Sequence, residues 1–579
     1  MIDKALKITC DRLLSEISDD GSWRGYLSSS AVSTAVAGFA LGRLVPGCDE
    51  LSDACRWLAD NLNPDGGWGD TPESPSNMTA TLLARAALLL GAEHAGRPDA
   101  LTESERWLTG KIGGVSPEAI SQGVIETYGK DRTFSVPILT MCAISGMLGE
   151  ETECWKKVPR LPFELAALPR ELFSFLRLPV VSYAIPALIA VGLVHYRKTG
   201  SYGMGAIHNK MIIPWVLRKL EKMTPESGGF LEAAPLTGFV AMCLGAAGLE
   251  EHYVTRKAVS FLRSTMRSDG SWPIDTDLSS WLTFLASNVL SGADALSPEM
   301  QKKLTAIIRS RQSRHIHPFT GARPGGWGWA NLSGSVPDGD DTSAALIALY
   351  ELNPGRVTGE VIAGLEWLLK LKNRDGGMPT FCRGWGVLPF DRSCPDISAH
   401  AMRAFMLWQK HISNGLEQRL ALAASELMRF LTVSRDEDGV WIPLWFGDQN
   451  APNHHNRVYG TSVVLESIKD LPGAKFVTGK ALDWLVQARN PDGGWGGEPG
   501  SPSTVEMSAK AISALALYPQ TRDVAVEAAK QLAGVFIEHD GLPPASPIGL
   551  YFASLWYDEK LYPALFAIPA FSRCRENTD

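Results

Sequence analysis

This chain of 579 residues has no C-x-x-C pair among its nine cysteines, which lie singly from Cys10 to Cys574. That spacing argues against a disulfide framework or zinc module and for reduced thiols in a cytosolic protein. It has no surplus of positive charge either, because 55 Lys and Arg stand against 63 Asp and Glu, a net charge of −8. Without a basic field, nucleic acid is excluded as a partner. Met1-Ile2-Asp3-Lys4 runs straight into an amphipathic pattern with acid by Glu16 rather than a secretory leader, so the protein is expected on the cytoplasmic side. A spanning helix needs about 20 apolar residues. The charge-free stretch from Leu178 to Val194 has 17 and is broken by Pro179 and Pro186.

What the chain has is 45% hydrophobic residues and an internal repeat. Turns of the form Asp-Gly-x-Trp recur at Asp20 to Trp23, Asp65 to Trp68, Asp269 to Trp272, Asp438 to Trp441 and Asp492 to Trp495. Weaker copies are Gly228-Gly229-Phe230, Gly325-Gly326-Trp327 and Asp375 to Met378. Before them come helices ending in apolar pairs such as Trp57-Leu58 or Trp484-Leu485. After them, alanine- and leucine-rich helices are expected over 79–91, 277–290, 341–352, 397–408 and 503–517. Each unit is two helices joined by a glycine turn, its tryptophan free to stack on a neighbouring unit.

Charge collects on the outer helices and small apolar residues on the inner ones, so the units should close into rings. The expected fold class is all-α, two (α/α) barrel domains with Gly-x-Trp repeats. Residues 1–22 form an N-terminal segment docking on the second barrel, 23–268 the first barrel, and 269–579 the second barrel carrying the acid motif. The 178–194 stretch then has two readings. It lies in one membrane leaflet with Tyr183, Tyr196, Arg197 and Lys198 at headgroup level and 211–215 extending the patch, or it is a buried inner helix.

Asp338-Gly339-Asp340-Asp341-Thr342 puts three carboxylates within four residues at the mouth of an inner helix. Crowded like charges raise the proton affinity of at least one carboxyl, and an acid held protonated near neutral pH can protonate a base as weak as an alkene. Capping a helix accounts for one such aspartate, not three.

These residues resemble the class II triterpene cyclases, above all the bacterial squalene-hopene cyclases. Asp338 to Thr342 is similar to their D-x-D-D-T acid motif, and the Gly-x-Trp turns to their repeated Gln-Trp motifs. Further matches are Gly270 to Thr276, Pro324 to Trp327, Val458 to Thr461, Asn490 to Trp495 and Gly549 to Ala553. The resemblance implies two α-barrels around a lipid-filled cavity, monotopic membrane attachment, and a polyprenyl substrate. It makes Asp340 the proton donor, Asp338 and Asp341 the flanking acids, and Asp396 and His400 the family's D-x-x-x-H pair. Independently of the family, residues i and i+4 share a helix face, and successive inner helices are neighbours, so His400 can reach the acids. Trp329, Phe381, Trp445, Tyr459 and Trp281 match cavity positions whose aromatic faces stabilise carbocations, each desolvated contact contributing about 2 kcal/mol.

The location of the proton poses a physical problem. A helix N-terminus favours the ionised carboxylate by about 0.3–1 kcal/mol, and an imidazolium would do the same. Either burial and repulsion outweigh this at Asp340, or His400 serves Asp338 or Asp341 and leaves Asp340 neutral. Departures from the pattern are Leu62, Met266, Lys372 and Arg489 in place of the repeat glutamine, Phe381 for a tyrosine, Asn331 for an aromatic, and an insertion from Gly447 to Asn456. The first four imply weaker interlocking of repeats.

The expected function is proton-initiated cyclisation of squalene or a close relative to a polycyclic triterpene such as hopene or hopanol. The steps need no metal or cofactor. The expected partners are squalene or another polyprenyl lipid and a membrane surface, with homodimerisation left open. The alternatives are a class II cyclase of a diterpenyl diphosphate or prenylated aromatic, and a non-catalytic lipid-binding barrel. A zinc prenyltransferase reading would need Cys394, Asp396 and His400 to converge on a metal, and a class I synthase would need a D-D-x-x-D site that Asp340 to Ala344 does not complete.

Overall fold

A computed structural model describes every residue except 92–96, 98, 130–131, 151, 170–183, 201–203, 319, 382–390, 414, 472, 551–554 and 576–579. Residues 178–182 and Tyr183 of the apolar stretch, and Tyr551, Phe552 and Ala553 of the tail motif, lie outside the described residues.

Alanine-rich helices with little charge pack all round, so they become the inner ring, and amphipathic helices cover them. In the second barrel the inner helices are Ser279–Gly292, Gly339–Leu352, Pro395–Gln409, Arg457–Ile468, Val505–Leu515 and Tyr562–Cys574, each touching the next and the last touching the first. Pro298–Ser310, Gly359–Leu371, Leu416–Val433, Lys475–Gln487 and Arg522–Glu538 lie outside. The sixth outer position is filled by the beginning of the chain, Ile2–Ser15, against Arg522–Glu538 and Tyr562–Cys574. The first barrel closes with Ala31–Leu44, Met78–Leu90, Arg132–Ile144, Ile185–Thr199 and Ala234–Ala246 inside.

The repeat has a precise physical use. In five copies the indole N–H donates to a leucine carbonyl ten residues earlier, Trp23 to Leu13, Trp68 to Leu58, Trp272 to Leu262, Trp441 to Leu431 and Trp495 to Leu485, at 2.7–2.8 Å. The same tryptophans, and Trp327 of a weaker copy, donate their backbone N–H to a hydroxyl of an inner helix, as Trp68 does to Thr81 at 3.0 Å and Trp327 to Thr342 at 3.0 Å. Fully buried, the indole therefore staples the end of an outer helix to the start of an inner one rather than simply stacking on a neighbour.

Two staples cross between the barrels. Trp23 donates to Thr283 of the second barrel, and Trp272 to Thr34 of the first. The turn at 269–272 thus caps the first ring although it follows it in sequence. Gly270 makes this possible: its φ is +86°, and a Cβ there would stand 2.7 Å from the Asp53 carbonyl oxygen.

At the positions of the replaced glutamines, Lys372 pairs with Glu426, and Arg489 pairs with Glu527 at 3.2 Å while lying 5.5 Å from the Trp495 ring centroid. Charged contacts thus interlock the repeats at two of the four sites where weaker interlocking was expected. A small antiparallel sheet, not foreseen from the repeat, joins Phe446–Gly447, Ile548–Leu550 and Leu555–Tyr557.

Ile185 to Val194 is a buried stretch of inner helix, as in the second of the two readings above. The neighbouring outer helix Met204–Met223 exposes Met211 and Trp215, at 70% and 68%. Among the described residues no helix is long and apolar enough to cross a membrane.

Candidate active site

The acid helix Gly339–Leu352 begins in the centre of the second barrel, and its cap is the first of the three aspartates. Asp338 has extended backbone, φ −134°, and its Oδ1 accepts the backbone N–H groups of Asp340 and Asp341, both at 2.9 Å. Thr342, the last residue of the motif, turns its hydroxyl to the Trp327 N–H, so the motif is also a repeat staple.

Burial separates the roles of the acids. Asp338 and Asp341 are 6% and 4% exposed. Burial pushes the Asp338 carboxyl up to about 7, against the hydrogen bonds it receives from Asp341 and the backbone. Burial and the negative charge of Asp338 push Asp341 well above the carboxylate range, and its buried Oδ1 has no hydrogen-bond partner among the described residues. Of this buried pair, Asp341 is the one pushed further from the ordinary carboxylate range.

Asp340 is the more open member, with a side chain 24% exposed, and His400 Nδ1 lies 2.6 Å from its Oδ1. The histidine is therefore bonded to Asp340, not to Asp338 or Asp341, which removes the option that it serves a flanking acid. Trp281 stands edge-on to His400, ring centroids 6.4 Å apart. Asp396, one turn before His400, does not complete a histidine pair; its Oδ1 accepts the Cys394 thiol at 2.7 Å. Burial, opposed by that thiol, pushes Asp396 up to about 6. Cys394 and Asp396 face each other while His400 faces Asp340, and among the described residues no cluster of three or more His, Cys, Asp or Glu side chains is arranged to hold a metal.

Asp340 stands between two spaces of opposite character. On one side is an apolar cavity of about 390 Å³ between the barrels, which also holds Asp338, Asp341 and Trp281, and draws Leu83, Pro137, Leu188 and Phe239 from the first barrel. That volume lies within the range of small-molecule sites. Its aromatic wall is Trp329, Phe381 and Trp445, with successive ring centroids 5.8 and 5.7 Å apart. On the other side is a polar pocket of about 180 Å³ along the axis of the second barrel, lined from all six inner helices.

Tyr459 faces the polar pocket rather than the apolar cavity, alone among the five aromatics expected to line the cavity; Trp281 touches both spaces. Phe446, Tyr557 and Tyr562, not singled out from sequence, line the cavity in its neighbourhood. The small sheet delivers the first two, and no motif marks such short strands. Asp275, within the Gly270 to Thr276 match, also lines the cavity, and burial and the charges of Glu232 and Asp277 push its carboxyl well above the usual range. The charges of the polar pocket were readable, because Arg403, Glu466, Lys510 and Arg573 interrupt helices that are otherwise the apolar inner ring.

Two family profiles match the chain: the squalene-hopene cyclase C-terminal domain over residues 275–521, and the prenyltransferase alpha-alpha toroid domain over 22–113. The chain is 25% identical to a terpene cyclase-glycosyl transferase fusion protein of Humicola fuscoatra, covering 100% of this chain but half of that protein's length. It is 23% identical to a squalene hopane cyclase of Aspergillus fumigatus, over 83% of this chain and 76% of that one. The fold is similar to ent-copalyl diphosphate synthase from Streptomyces platensis, with a TM-score of 0.60, 17% identity and 99% of both chains covered. With the acid motif capping an inner barrel helix and opening onto an apolar cavity, the squalene-hopene cyclase C-terminal domain match over residues 275–521 and the squalene-hopene cyclase relatives support a class II terpene cyclase.

Proposed function

We propose that the protein cyclises squalene or a close relative to a polycyclic triterpene of the hopene or hopanol kind, starting by proton transfer from Asp340 to a terminal alkene. The observation that carries this reading is the position of Asp340, facing the apolar cavity while bonded to His400. The alkene π electrons take the proton and leave a tertiary cation. Successive alkenes close rings onto that cation, and loss of a proton or capture of water ends the sequence. Trp329, Phe381 and Trp445 offer faces that stabilise the migrating charge without reacting with it. Asp340 then regains a proton from water on its polar side, with His400 holding the carboxyl in place.

The same reading places the protein on a membrane surface. Met211 and Trp215, one turn apart and exposed, with the Arg218 guanidinium 5.1 Å from the Trp215 ring centroid, have the composition of an interfacial patch. A second reading is a polyprenyl chain ending in an anion such as a diphosphate. Arg132 favours it, since it lines the cavity from the first barrel and has no ion pair among the described residues.

The test is incubation of detergent-solubilised protein with squalene, without added metal, followed by gas chromatography and mass spectrometry beside D340N. The expected result is a product of squalene's mass, or that mass plus water, absent from the variant. Unchanged squalene from folded protein rejects that substrate, and turnover of geranylgeranyl diphosphate instead would select the second reading.

A further inference from the structure

The polar pocket holds more charge than proton transfer requires, and one of its cations forms no ion pair or hydrogen bond with a described residue. Arg403 pairs with Glu351 at 3.5 Å, and Arg573 with Glu466 at 3.1 Å. Asp340 is bonded to His400, and Asp396 to a thiol. What remains is Lys510, on the inner helix Val505–Leu515, which makes no hydrogen bond or ion pair with any described residue. Its ammonium lies 4.4 Å from the Phe566 ring centroid and 5.5 Å from that of Tyr459.

Removing an ammonium from bulk water without a counter-charge is costly, and buried charges in folded proteins are normally paired. Two aromatic rings offset part of that cost, not all of it. The space beside Lys510 is about 180 Å³, and a water takes roughly 30 Å³ of liquid, so the pocket has room for an ion with several waters. Asn288, Ser467 and Ser572 line the same space and supply neutral donors. We propose that this axial pocket binds one small monovalent anion, of the halide or formate class, against Lys510. The anion gives a direct counter-charge to the one cation of the pocket without an ion pair, which Glu466 and Asp340 influence only at longer range, so that proton return to the acid takes place against a weaker positive field.

The test needs no substrate, so its result is independent of the cyclisation reading. Thermal unfolding of the whole protein is followed in increasing sodium bromide, with sodium gluconate, an anion too bulky for the pocket, holding ionic strength constant. Wild type and K510R should show a rise in Tm that saturates as a single site, and K510M should show none. Equal Tm values in bromide and gluconate, or a saturable rise retained in K510M, overturn the proposal. Should K510M fail to fold, anomalous diffraction from wild-type crystals grown in bromide decides: a peak within hydrogen-bond distance of Lys510 Nζ supports the site, and the absence of a peak there rejects it.

Discussion

His400 Nδ1 lies 2.6 Å from Asp340 Oδ1, while the cap of the same helix turn, Asp338, holds the Asp340 backbone N–H at 2.9 Å. The side chain and the backbone of one residue are thus fixed by different partners. D340N keeps the shape and the cap but cannot give up a proton. A positioned general acid contributes about 10²–10⁴-fold, so kcat should fall by that factor with Tm little changed. H400Q, which keeps a hydrogen-bonding group near Asp340, should lose less. Single-turnover product analysis with circular dichroism checks both.

Asp338 separates stability from chemistry. D338A removes a cap worth about 0.5–2 kcal/mol, whereas D338S keeps an oxygen for the free N–H groups. Denaturant unfolding should therefore show a loss in D338A that is largely restored in D338S. Turnover should stay low in both, because the carboxylate whose charge helps raise the proton affinity of Asp341 is gone. Recovery of full turnover in D338S would reject this division.

Asp70 makes stability depend on pH. Its carboxyl is 1% exposed and accepts the Trp556 N–H at 2.7 Å and the Asn77 amide at 3.2 Å, tying the first barrel to the small sheet. Burial, opposed by those bonds, pushes it up to about 7. The folded protein therefore holds this proton more tightly than the unfolded chain, whose aspartates titrate near about 3.9. The contribution is complete below that pH and is lost as pH rises toward 7. At about 1.4 kcal/mol for each tenfold in proton affinity, up to about 4 kcal/mol is at stake. Calorimetry from pH 4 to 8 should show stability falling less steeply in D70N than in wild type; Glu506 and Glu559, also pushed up to about 7 by burial, sustain part of the slope in both.

The aromatic wall should control where cyclisation stops. Replacing Trp329 by leucine keeps apolar volume and removes a face that contributes about 2 kcal/mol to a desolvated cation, equivalent to roughly 30-fold in the partition between continuing and early termination. W329L should raise the share of products with fewer rings, read by mass spectrometry as a ratio within one extract. An unchanged ratio with slower total turnover would make Trp329 a packing residue only.

Much of this was written in the sequence because the relevant signals are local. Asp-Gly-x-Trp turns, alanine-rich helices and a run of three carboxylates each need only a few neighbouring residues, and they were enough to expect two barrels, the acid helix, and His400 within reach of it. The proton's location was not readable in that way. Asp341 is pushed well above the carboxylate range because its 4% exposure and the nearby charge of Asp338 are properties of the packed barrel, not of the motif. Which space an aromatic faces is likewise a matter of rotation about a helix axis, and Tyr459 turned to the polar side.

The sequence by itself determined the repeat, the ring of apolar helices and the chemical type of the acid, since periodicity and residue identity survive without coordinates. Only the tertiary structure decided that Ile2–Ser15 completes the second barrel, that Trp23 and Trp272 staple each to the other's ring, that the small sheet brings Phe446 and Tyr557 to the cavity, and that Lys510 stands in the polar pocket without an ion pair to a described residue. Each of these depends on contacts between residues far apart in the chain, and such contacts leave no periodic trace in the residues that make them.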